Sequence, residues 1–205
     1  MTQAELVPTS LDEETARAEV YGLLAALYYA APSAELHNNI RVAVTEAPAP
    51  GAVLESSWAE LVAAARAQSL AEISSEYDAL FGGVGKPEVY LLGSHYLSGF
   101  LNEKPLAALR TDIAALGLAR DESMPETEDH VAYLCEVMRY LIAGDDVAVA
   151  NLTRQREFFT RHAQPWLPMM CDAIMAHPRG RFYRAVAAFT QTFVSVESQG
   201  FDMLT

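Results

Sequence analysis

Cysteine is scarce in this chain. There are two among 205 residues, Cys135 and Cys171, and neither belongs to a CxxC or zinc-type cluster. That argues against a disulfide-stapled scaffold and a thiolate-held metal, and leaves two reduced core thiols as the expectation. Cations are also few: 14 Lys and Arg stand against 27 Asp and Glu, for a formal net charge of −13. Dominant binding to nucleic acid or to an anionic lipid surface would have to overcome long-range repulsion, whereas a basic partner would complement the charge. Long apolar runs are missing as well. No stretch approaches about 18 uninterrupted apolar residues, and the opening MTQAELVPTSLDEETARAEV has neither the basic n-region nor the apolar h-region of a secretory signal. A cytoplasmic protein without stable membrane association is expected.

Catalytic and phosphate-binding signatures are absent too. There is no GxSxG, HExxH or GxGxxG stretch, and the glycine-rich Gly82-Gly83-Val84-Gly85-Lys86-Pro87-Glu88 lacks both the spacing and the Ser/Thr of a phosphate loop. Its glycines read as a tight connection. No enzyme chemistry and no cofactor are expected on these grounds.

What the chain does have is helical periodicity and enough apolar material to use it. Hydrophobic residues make up 51% and charged ones 20%, and a chain of this length buries roughly 70% of its unfolded surface. Val20, Leu23, Leu24 and Leu27 recur at helical spacing up to Tyr28-Tyr29, before Ala30-Ala31-Pro32. Further helices are predicted over 34–45, from Ser56, over 69–81, 102–118, 127–143, 147–162, 167–175 and 182–198, with a loop at 46–51. Pro105 early and Gly117 late suit the helix over 102–118. The expectation is an all-α, single-domain bundle of about nine helices. N-terminal helices at about 11–81 and C-terminal helices at about 102–198 are joined through a loop at 82–94.

One segment gathers chemistry: Met124-Pro125-Glu126-Thr127-Glu128-Asp129-His130, running into VAYLCEVMRYLI. Carboxylates, imidazole and thiol together raise a metal site, and with it a metal-dependent helical-bundle enzyme. The spacing is poor for that, because Asp129 and His130 are neighbours pointing about 100° apart and the residue three before His130 is Thr127, so no Glu-x-x-His pattern exists. An acidic helix start accounts for most of it. Thr127 reads as the N-cap, Glu128 and Asp129 suit the positive end of the helix dipole, and Val131, Leu134, Met138 and Leu141 form a buried stripe. His130 is left over, since a charged imidazole in a first turn loses by the dipole. Aromatic and polar groups also concentrate in Glu76-Tyr77-Asp78-Ala79-Leu80-Phe81 and in the stretch Phe158 to Trp166. They serve either as core or as the lining of a peptide groove.

In order along the chain, Leu80-Phe81-x-Gly83, Gly93-Ser94-x-Tyr96-Leu97, Glu126-x-Glu128-Asp129-His130, His162-x-x-Pro165-Trp166 and Phe182-Tyr183-Arg184-Ala185 resemble the TorD/DmsD/NarJ family of redox-enzyme maturation chaperones. The resemblance covers about residues 70–190. It departs at Thr127, where the family often has proline, and at Gly83-Val84, where Gly-Pro is common. It implies an all-helical cytoplasmic chaperone, not an enzyme, whose partner is the precursor of a molybdenum-cofactor oxidoreductase. The ligand would be that subunit's twin-arginine signal peptide or N-terminal tail. Family binding residues carry over onto Asp129 and His130 and onto Tyr77, Leu80 and Phe81, with Gly93 and Ser94 near the groove. Asp129 with the neighbouring Glu128 would hold an arginine, the Tyr77 helix end would take the apolar segment, and the charge state of His130 would tune release. A monomer or a domain-swapped homo-oligomer is compatible with the short connections.

Overall fold

The computed structural model describes residues 10–45, 53–82, 86–101, 104–121 and 124–203. The expected loop at 46–51, Gly83 and Val84 lie outside the described residues. Among the described residues ten α-helices follow one another: α1 (Ser10–Tyr29), α2 (Ala34–Val42), α3 (Glu55–Ala67), α4 (Leu70–Leu80), α5 (Gly93–Ser98), α6 (Lys104–Ala115), α7 (Val131–Ala143), α8 (Leu152–Phe158), α9 (Leu167–Ala176) and α10 (Phe182–Asp202). A five-residue π-helix, Phe159–Ala163, continues α8. The fold is all-α. Among the described residues the only extended pairing is an isolated antiparallel bridge between Leu92 and His130.

Local chemistry sets most of the helix ends. Ser33 caps α2 by accepting the Leu36 N–H at 3.1 Å. Ser69 and Glu72 close a reciprocal capping box at the start of α4. After α6 the chain turns through Gly117 at φ +74°, with Gly117 N–H donating to Ala114 C=O and Leu118 N–H to Ile113 C=O, a Schellman closure that an L side chain would strain.

Packing follows from the apolar faces. Helix α1 lies along α7, and α10 packs on α9, α3 and α4. The stripe Val131, Leu134, Met138 and Leu141 is buried as expected, together with Leu24, Leu27 and Tyr28 of α1. Full burial of each large apolar side chain contributes about 1.5–3 kcal/mol. Both cysteines are buried and free, and burial raises both thiols. A buried polar network ties the ends of the chain together: Arg17 donates twice to Glu197 (2.7 and 2.8 Å), and Tyr21 donates to the same carboxylate at 3.0 Å. No helix among the described residues is long and apolar enough to cross a membrane.

Three expectations are corrected. The helix expected from Thr127 begins at Val131, so Thr127 is not its N-cap and Glu128 and Asp129 precede it. The helix expected over 147–162 begins at Leu152, capped by Asn151 accepting the Arg154 N–H at 3.1 Å, and ends as the π-helix. Residues 93–98, read partly as loop, form α5; its GSHYLS sequence is too short to show a periodic stripe.

Candidate functional site

Two backbone segments meet between α4 and α7. Val131 N–H donates to Leu91 C=O and Gly93 N–H to Asp129 C=O, both at 2.9 Å, which pins residues 91–93 against 129–131. The Asp129 carboxylate completes this clasp: one oxygen accepts the Ser94 N–H at 2.8 Å and the other the Thr127 hydroxyl at 2.6 Å. Asp129 is 3% exposed, so both of its oxygens are spent inside the protein.

His130 is the true N-cap of α7. Its backbone is extended (φ −66°, ψ 134°), and Nδ1 accepts the Ala132 N–H at 3.2 Å. An imidazole can do this only with Nδ1 unprotonated, so the cap requires the neutral ring. Burial supplies that state: it drives the His130 pKa down to about 4, outweighing the opposing pull of Asp129. The residue that helix-dipole reasoning left over is thus a neutral acceptor at the positive end of a helix. A change of its charge belongs near pH 4, well below neutrality.

A second group of side chains backs the clasp. A Cβ on Gly93 would stand 2.9 Å from Cε2 and Nε1 of Trp166, so glycine is what lets the indole approach. Trp166 is buried, stacks on Tyr96 (5.7 Å, 16°) and donates Nε1–H to the His162 carbonyl at 2.6 Å. His162 in turn bonds Asp112 of α6 at 2.6 Å. His162 lies in the π-helix and Trp166 immediately precedes α9, and both are buried. Gly93, Ser94, Tyr96, Asp129, His130, His162 and Trp166, spread from position 93 to position 166, are therefore parts of one junction.

The surface beside the junction is aromatic and acidic. Tyr77 and Phe81 are half-buried at the end of α4, 5.2 Å apart, and both rings lean on buried Tyr183 of α10 (5.6 and 5.0 Å). The Tyr77 hydroxyl donates to the carbonyls of Tyr28 and Tyr29, which locks it to the end of α1. Its pKa is pushed up to about 12, by burial first and then by the charges of Glu126 and Asp78. Leu80 is fully buried and serves the core, beneath this surface. Glu128 is engaged by Arg110 at 2.8 Å and Arg120 at 3.9 Å; burial opposes its ionisation, but the arginines prevail and hold its carboxyl below the ordinary value.

Sequence reasoning missed Glu76. It is buried, and its carboxylate accepts the backbone N–H groups of Arg181, Phe182 and Tyr183 at 2.8, 3.1 and 2.8 Å, with Gln68 donating to it as well. It caps α10 from α4 and so fixes Tyr183 under Tyr77 and Phe81. No local signal announces a cap supplied from more than a hundred residues away. Among the described residues no three His, Cys, Asp or Glu side chains are grouped to hold a metal ion.

The sequence profile of the nitrate reductase delta subunit family matches residues 48–172, well over half of the chain. The chain belongs to that family. Three similar proteins carry the name chaperone protein TorD. The one from Vibrio parahaemolyticus is 24% identical over 62% of this chain and 63% of its own length, and that from Vibrio cholerae is 25% identical over 52% and 51%. The one from Shewanella loihica is 27% identical over 64% and 63%. The chain thus spans between half and two thirds of the length of these relatives. The delta subunit match takes in Tyr77, Phe81, the clasp and the His162–Trp166 segment, whereas α1 and α10, which carry Tyr29 and Tyr183, lie outside it.

Proposed function

We propose that this delta subunit family protein is a maturation chaperone. It binds the basic and apolar N-terminal segment, a twin-arginine signal or an uncleaved tail, of a molybdenum-cofactor oxidoreductase precursor, and holds it in the cytoplasm until the cofactor is in. The observation that carries this reading is the surface at the end of α4. Half-buried Tyr77 and Phe81 lie beside the acids Asp78 and Glu126 on a protein of net charge −13. Apolar rings suit the hydrophobic stretch of such a segment, and the carboxylates suit its cations.

In this reading Asp129 and His130 act through the clasp they close. Pairing Asp129 directly with a peptide guanidinium would break its bonds to Ser94 and Thr127. Gly93, Ser94 and Glu128 are likewise positioning residues, and Tyr77 and Phe81 are the contact residues. The test is titration of a synthetic leader peptide, carrying two adjacent arginines and an apolar stretch, into the purified protein by calorimetry. Saturable 1:1 binding is expected, and it should be weakened by Phe81→Ala under conditions where that variant remains cooperatively folded. Failure of the wild-type protein to bind would refute the reading.

A further inference from the structure

Tyr29, the last residue of α1, is 44% exposed, yet it is held in place. Its carbonyl accepts the Tyr77 hydroxyl at 2.9 Å, and its ring lies 6.1 Å from that of Tyr133 on α7, tilted by 38°. The Tyr29 and Tyr133 hydroxyls both point at the sulfur of Met124, at 3.9 and 3.1 Å. Tyr133 also touches the His130 ring, 5.7 Å away, so the pair stands on the clasp. Close by is Glu126. Its charge, after burial and the neighbouring tyrosine, raises the Tyr133 hydroxyl, and it also acts on Tyr77. Glu128 is taken by Arg110, but the exposed Glu126 carboxylate has no ion pair among the described residues. Arg120 reaches the Glu126 backbone carbonyl at 2.8 Å and fixes the loop without using the side chain.

We propose that Tyr29, Tyr133 and Glu126 form a subsite for a guanidinium group, taking one arginine of the bound segment against the tyrosine rings with its N–H groups on the Glu126 carboxylate. This rests on the reading above and moves the cation away from Asp129. The chemistry favours arginine over lysine. A planar, weakly hydrated guanidinium stacks on an aromatic face and bonds a carboxylate in a fork, whereas an ammonium keeps its water. Part-exposed tyrosines tethered by their backbone and hydroxyl groups lose little freedom when such a group lands on them. Met124 keeps the two phenols aligned, as a soft acceptor that does not compete for the cation.

The experiment compares an arginine leader peptide with the same peptide carrying lysine in both positions. Wild-type protein is expected to prefer arginine. Glu126→Gln and Tyr29→Leu should each weaken the arginine peptide about five- to tenfold and reduce the preference towards one, while Phe81→Ala should weaken both peptides alike. Undiminished preference in both subsite variants would overturn the subsite and leave the proposed function standing. As a second readout, Ac-Arg-Arg-NH2 is titrated into the full chain and followed by NMR. Shifts centred on Tyr29, Tyr133 and Glu126 support the subsite even if the longer peptide does not bind, and shifts elsewhere or none refute it.

Discussion

A methyl group at position 93 would stand 2.9 Å from two atoms of an indole that is itself buried and stacked on Tyr96. Neither the ring nor the clasp backbone can yield cheaply, so Gly93→Ala should cost about 1–3 kcal/mol. Urea denaturation measures that cost, and a shift in Trp166 fluorescence should accompany it. At His130 the expectation concerns pH. The folded pKa of about 4 lies below the ordinary 6.5, so between these values the unfolded chain binds a proton that the folded chain refuses. Stability is then complete above pH 6.5 and falls as pH drops towards 4, by about 2 kcal/mol between pH 7 and pH 5. His162, lowered by burial against the opposing bond to Asp112, adds a loss of the same sign. His130→Asn, which keeps a capping acceptor but cannot titrate, should flatten the pH dependence of urea midpoints; an unchanged slope would contradict the assignment. The sequence pointed to His130 without explaining it, because Thr-Glu-Asp mimics a capping turn and masks a cap that lies three residues later.

Between elements, the strongest unread feature is the cap that α4 lends to α10. The first-turn N–H groups of a helix need acceptors, and Arg181 offers no side-chain cap, so Glu76 supplies three bonds at once. Glu76→Ala should destabilise the protein by about 3 kcal/mol, and Glu76→Gln by about half of that. Near-ultraviolet circular dichroism should show loosening of Tyr77 and Tyr183 in the alanine variant. Helix identity was largely legible in the sequence, since the stripe on α7 and the glycine closing α6 follow from spacing and turn chemistry alone. Short α5 and the π-helix were not, because neither is long enough for periodicity to register. The aromatic surface was half legible: Tyr77 and Phe81 stand together in sequence, but Tyr29, Tyr133 and Tyr183 reach them only through the packing of α1, α7 and α10.

For the molecule as a whole, a charge of −13 acts at a distance and is screened by salt. Raising ionic strength from about 0.05 to about 0.5 M should therefore weaken the arginine leader peptide several-fold, mainly by slowing association. A peptide containing only the apolar stretch should change little, and equal salt sensitivity of the two would remove the electrostatic account. The order of synthesis adds a consequence of the Glu76 cap. The carboxylate on α4 leaves the ribosome more than a hundred residues before the three amides it serves, and Tyr183 arrives with them. A growing chain can assemble α1 to α9 and still lack the floor beneath Tyr77 and Phe81. Under the proposed function, the surface that takes the peptide is therefore complete only once α10 has been made, and a copy lacking α10 would offer the bound segment no platform.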